Sequence, residues 1–144
     1  MLNEDEPRIV NTATTPGLYI ELKDYNNYLS EKGWDLAQML FSTLSNNGLG
    51  NISDSKDTMP IIIQSFDFEA LEKFATLSDL PLVQLMHSVG TKYDYDALSE
   101  VVHGVGPKST WIMDTPDADL SDFITQMHSL DMAVHPYTYQ DDHL

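Results

Sequence analysis

Apolar runs of strand length alternate with stretches of helical periodicity along most of the chain, and no other feature restricts its fold so closely. Leu18-Tyr19-Ile20-Glu21-Leu22-Lys23 follows the breaker pair Pro16-Gly17 and has the period-two pattern of a strand. Met59 to Gln64 contains an unbroken isoleucine triplet, the composition of a strand covered on both faces, as in parallel sheets. Leu82 to Met86, His103 to Pro107 and Met132 to Pro136 supply three more runs of strand length.

Helical segments lie between them. Trp34 to Leu44 places Leu36, Met39, Leu40 and Leu44 on one stripe, and Asn46-Asn47-Gly48 offers left-handed capping residues at its end. Phe68 to Thr76 puts Phe68, Leu71 and Ala75 on a common face behind Asp67, a natural N-cap. A weaker helical stretch covers Tyr95 to Val102, and Asp117 to Leu130 aligns Leu120, Phe123, Ile124 and Met127. Asn46 to Thr58 reads as a flexible surface loop.

Strict alternation implies a parallel sheet with helices outside it, either doubly wound or a barrel. The polar residues favour the barrel, because Glu21, Lys23, Gln64, Gln84, His87, Lys108 and His135 gather at the C-terminal ends of the strands. In a (β/α) barrel that end is the active-site mouth. A doubly wound nucleotide fold calls for a glycine-rich first turn, and Gly48-Leu49-Gly50 lacks the third glycine and opens no helix.

Charge and composition remove several functions. Seven Lys and Arg against 23 Asp and Glu leave a net charge of −16, which repels nucleic-acid phosphates and anionic membrane surfaces. No run approaches the roughly 20 apolar residues of a membrane span, and Met1 to Arg8 is acidic rather than a secretory leader. This stretch is therefore expected to be soluble. With no cysteine, thiolate nucleophiles, disulfides and zinc ribbons are excluded, and any metal would take oxygen or imidazole ligands.

Glu21 and Lys23 are two apart on a strand and so project to one side. A carboxylate suits a hard cation such as Ca²⁺ or Mg²⁺ and the ammonium suits a phosphate oxygen; an ion pair closing the strand end is the alternative. Gln64 is placed either to orient a ligand oxygen or to satisfy a loop carbonyl, and Gln84, inside its strand, to donate as a buried amide within the barrel in a structural or a functional role. His135, just before Pro136-Tyr137-Thr138, is either an acid–base or phosphate-donating group or a structural imidazole. Trp34, Trp111, Tyr93, Tyr95 and Tyr137 would line a pocket for an alcohol or sugar group or fill the core or its rim. No Gly-x-Ser-x-Gly run supports serine hydrolysis, and the acidic pairs lack EF-hand spacing.

The ordered set LYIELK at 18–23, IQSFD at 63–67, LVQL at 82–85, GVGP at 104–107 and VHPYT at 134–138 resembles the glycerophosphodiester phosphodiesterases, particularly the bacterial periplasmic type, over about residues 16–142. The resemblance implies a TIM-type (β/α)8 barrel that cleaves glycerophosphodiesters to glycerol 3-phosphate and an alcohol with a divalent cation, Ca²⁺ favoured and Mg²⁺ second. It implies glycerol and lipid metabolism, and a periplasmic or secreted setting. By motif, Glu21 is similar to a carboxylate ligand of that cation, Lys23 to a phosphate contact, and Gln64 and His135 to residues lining the substrate site.

The same resemblance expects a His-Arg-Gly run, a Glu-x-Asp metal pair and a second histidine before the glutamate–lysine strand. Nothing in Met1 to Gly17 resembles these. Residues 1–144 are thus expected to form a partial domain, strands three to seven of an incomplete barrel, with no catalytic residue of the family in this stretch. Its expected partner is a small glycerophosphodiester, without nucleic acid or membrane insertion. The expected state of the stretch alone is inactive, and the alternative is a non-catalytic, barrel-derived binding module with weak divalent-cation affinity.

Overall fold

The structure, a computed structural model, describes residues 16–55, 59–89 and 93–139. Their elements run β1 (Leu18–Leu22), α1 (Tyr25–Lys32), α2 (Leu36–Asn46), α3 (Ile52–Ser55), β2 (Ile61–Ser65), α4 (Phe68–Ala75), β3 (Leu82–Met86), α5 (Tyr95–Ser99), β4 (Gly104–Pro107), α6 (Ser109–Asp114), α7 (Asp117–Ser129) and β5 (Ala133–Val134). The five strands pair in sequence order and every pair is parallel.

The sheet is a curved wall. At about 4.8 Å per step, the first and fifth strands of a flat sheet stand about 19 Å apart. Yet the Tyr19 hydroxyl of β1 lies 3.2 Å from Nδ1 of His135, just past β5. The ladder register starting at Tyr19 extends through Ile62, Pro81 and Val102 to Asp131, four positions before His135. Four positions over four strand steps is a stagger of one residue per strand, which around eight strands sums to the shear of a (β/α)8 barrel. The described residues therefore form an incomplete barrel of that type.

This stagger sorts the inward side chains into layers drawn from alternate strands. Tyr19, Val83 and His135 share one layer, Gln64 and Gly106 the next, then Glu21, Leu85 and Tyr137, with Phe66 and Lys108 at the rim. The contacts agree: a Cβ added at Gly106 would meet both Val83 and Leu85, the neighbouring layers. On the outer face Ile61, Ile63, Leu82, Met86 and Val105 pack against Ala37, Leu44, Leu71, Phe74, Phe123 and Met127 of the helices. Burial of these side chains, at roughly 1.5 to 3 kcal/mol each, drives the helices onto the sheet.

Local details depart from the sequence pattern where tertiary packing rotates a helix. In α2 the buried residues are Ala37 and Leu44, with Leu36, Leu40 and Phe41 beside them, while Met39 is 53% exposed. In α4 the buried set is Ala70, Leu71 and Phe74 rather than Ala75. Gly48, at φ 68°, supplies the left-handed turn after α2, and Asn47 does not. Helices α1, α3 and α6 were not visible in the pattern, because each buries a single residue (Tyr25, Ser55 and Ser109) and so carries no apolar stripe. Helix α3 occupies part of the expected loop, and residues 56–58 of that loop lie outside the described residues. Among the described residues no helix is long and apolar enough to cross a membrane.

The inner face of β4 is bare because both of its inward residues are glycine. A Cβ at Gly104 would stand 2.8 Å from the Ala133 carbonyl oxygen, and one at Gly106 2.8 Å from Cδ2 of Leu85. Backbone cannot yield as a leucine methyl can. Gly104→Ala is therefore expected to cost about 2 to 3 kcal/mol and Gly106→Ala about 1 kcal/mol, read from urea unfolding midpoints. The reverse order would contradict the layered packing.

Candidate active site

Strand alternation turns Glu21 and Lys23 to the inner side of β1, and parallel pairing sets Glu21 beside Gln64 of β2. Lys23 Nζ lies 3.5 Å from Glu21 Oε2; the lysine side chain is 72% exposed and the glutamate 24%. An ion pair this open is worth at most about 1 kcal/mol, so its ammonium can be drawn to another anion at little cost. Gln64 is half-buried, and its amide makes no hydrogen bond among the described residues.

Two buried side chains behind the sheet hold this edge of the mouth. Ser65 Oγ donates to the Leu22 carbonyl at 2.7 Å and accepts from the Asp67 amide at 3.0 Å. It pins the ends of β1 and β2 between Glu21 and Gln64, and it uses the Asp67 N–H, while the Asp67 side chain makes no capping bond. Gln84 pairs in register with Ser65 and Val105, so it faces the helices rather than the lumen. Its Nε2 donates to the carbonyls of Phe66, at 3.0 Å, and Leu85, at 2.9 Å; Oε1 is buried without a partner among the described residues.

An aromatic cluster centred on Phe66, just past β2, lines the mouth next to this edge. Phe66 stacks on His87 with centroids 4.1 Å apart and meets Tyr137 edge-on at 5.5 Å. The Tyr137 hydroxyl donates to the Met86 carbonyl at 3.2 Å. Burial raises the Tyr137 pKa, with further contributions from Tyr93 and the Glu21 carboxylate, its neighbour in the layer.

His135 stands lower on the inner wall than the sequence suggests, two layers beneath Glu21 and against Tyr19. Burial alone pushes its imidazole below the ordinary histidine range, and burial raises the Tyr19 hydroxyl to about 12. Both groups are uncharged near neutral pH, and their contact braces the lumen. Tyr19, which the pattern marks only as a strand residue, is legible as a site-level residue only once the stagger is known.

The remaining candidates divide. Trp34 stacks on Tyr28 away from the mouth. Tyr93, Tyr95 and Trp111 join Phe123 around a separate cleft between α5, α6 and α7. His103 lies at the far end of the sheet, its Nδ1 accepting from the Leu82 amide at 3.3 Å. Among the described residues no three His, Asp or Glu side chains gather as a metal cluster. A Ca²⁺ ion takes about six to eight oxygen ligands. These residues do not by themselves form a cation site; Glu21 fits one ligand position in one.

A model of the glycerophosphoryl diester phosphodiesterase family matches residues 8–143. The glycerophosphodiester phosphodiesterase GDPD6 of Arabidopsis thaliana is 27% identical over 161 aligned positions, which take in 96% of this chain and 42% of the relative. The chain thus spans less than half the length of that curated relative.

His135 and His103 both have lowered pKa values from burial, opposed at His103 by Asp131 and Asp79. Unfolded imidazoles bind a proton near pH 6.5, the folded ones only at lower pH, so below about 6.5 the unfolded state holds more protons. The stability they contribute is complete above that value and is lost as pH falls through the folded values. Urea midpoints are expected to drop between pH 7.0 and 5.5, and a His103→Asn/His135→Asn variant to show a flatter profile. An unchanged slope in that variant would exclude these imidazoles as the cause.

Proposed function

The chain belongs to the glycerophosphoryl diester phosphodiesterase family, and from that premise we propose that its barrel serves the hydrolysis of glycerophosphodiesters to glycerol 3-phosphate and an alcohol. In that reaction a water oxygen bonds to phosphorus, the bond from phosphorus to the alcohol oxygen breaks, and a proton passes to the leaving oxygen. A divalent cation, Ca²⁺ before Mg²⁺, would supply charge neutralisation at the phosphoryl oxygens when bound.

One observation carries the assignment. The open Glu21–Lys23 pair stands on the inner face of β1 at the C-terminal end of the barrel, beside an amide without a hydrogen-bond partner among the described residues. In this reading Glu21 is one carboxylate ligand of the cation. The Lys23 ammonium swings from Glu21 to a phosphoryl oxygen, which is a more concentrated anion than the screened carboxylate. Gln64 donates its amide to the substrate, and His135 limits the depth of the lumen below it.

A second reading, a non-catalytic module with weak divalent-cation affinity, draws on the histidines. His135 contacts Tyr19 and His87 stacks on Phe66, which supports a reading in which neither imidazole serves Glu21 in general acid and base work. This chain alone is accordingly expected to release no glycerol 3-phosphate from glycerophosphodiesters with Ca²⁺ present, followed by a coupled dehydrogenase assay; Ca²⁺-dependent release would overturn that. In a chain extended to a full barrel, Glu21→Gln is expected to lower kcat/KM by about 100-fold or more. Wild-type turnover in that variant would remove Glu21 from the site.

A further inference from the structure

We propose that the cleft between α5, α6 and α7 binds a small organic ammonium ion. The cleft, of about 500 Å³, is lined by loop and helix residues rather than by inward-facing strand residues. Phe123, 7% exposed, forms its floor. Trp111 meets Phe123 edge to face at 5.2 Å, Tyr95 does so at 6.0 Å, and Tyr93 stacks with Tyr95 at 6.4 Å.

Two carboxylates complete the rim. Asp119 and Asp122 are three residues apart on α7 and so share a face, and both border the cleft. Asp119 lies in the first turn, where it complements the helix dipole. Asp122 lies beyond it and has no such role. Among the described residues neither makes an ion pair, and none that borders the cleft is Lys, Arg or His.

Aromatic faces joined to uncompensated negative charge recognise one chemistry. An inorganic divalent cation seeks a full shell of oxygens and gains little from four rings. An anion is repelled by the rim and by a chain of net charge −16. An alkylated ammonium is weakly hydrated, is attracted to ring faces and to the carboxylates together, and buries its methyl groups against Phe123.

The sequence holds two tryptophans, so Trp34→Phe leaves Trp111 as the single reporter inside the cleft. This variant, in about 150 mM NaCl to screen diffuse attraction, is titrated with tetramethylammonium chloride, with tert-butyl alcohol as the neutral counterpart, and with CaCl₂. A saturable fluorescence change is expected with tetramethylammonium, at least tenfold weaker binding of the alcohol, and no matching change with Ca²⁺. Adding Asp119→Asn and Asp122→Asn is expected to weaken tetramethylammonium binding at least tenfold, with circular dichroism confirming an intact fold. No saturable change, equal binding of the alcohol, an equal response to Ca²⁺, or unchanged binding in the double asparagine variant would each overturn the proposal.

Discussion

A stagger of one residue per strand, read from the 3.2 Å contact between Tyr19 and His135, decides which side chains meet inside the wall. Hydrogen-bond neighbours along a ladder are not neighbours across a tilted barrel. Glu21 sits beside Gln64 in register, but its partners at equal height are Leu85 and Tyr137, and the influence of its carboxylate on Tyr137 is the electrostatic trace of that layer. The bare inner face of β4, with Gly104 and Gly106, follows from the same geometry: large residues from odd strands fill the layers, so the even strand between them yields space.

The mouth also depends on residues that never enter it. Ser65 and Gln84 both lie on the helix side of the sheet, yet between them they bind the carbonyls of Leu22, Phe66 and Leu85, the points where strands give way to loops. Burying a hydroxyl and an amide among Ile63, Leu82 and Val105 is costly unless they are bonded, so their chemistry is directed entirely at strand ends. Gln84 leaves Oε1 unbonded among the described residues, a cost accepted for two carbonyl contacts. The aromatic wall of Phe66, His87 and Tyr137 rests on that tie through Phe66.

Strand order, parallel pairing and the mouth were legible in the sequence because they depend on hydrophobic period and on polar residues at strand ends. The long helices α2, α4 and α7 were legible for the same reason, although the rotation that exposes Met39 and buries Ala70 is set by neighbouring elements that a local pattern does not contain. Helix α1, whose residues Tyr25–Lys32 are largely polar, had no stripe to show. At the site, the Glu21–Lys23 pair follows from a spacing of two on a strand. The outward turn of Gln84 follows from its register with Ser65 and Val105, while the depth of His135 and the part played by Tyr19 require the ring stagger, which no single segment encodes.

A phosphodiester approaching a chain this acidic meets an unfavourable field. With a net charge of −16, the average surface repels such an anion, although screening confines that repulsion to about 8 to 10 Å at physiological salt. Within that distance the placement of a few cations outweighs the total. Lys73 is committed to Asp35 at 3.9 Å on the helix layer, whereas Lys23 and Lys108 follow the C-terminal ends of β1 and β4. The same acidic surface favours cations over anions at the cleft beside α7, where Asp119 and Asp122 add to it.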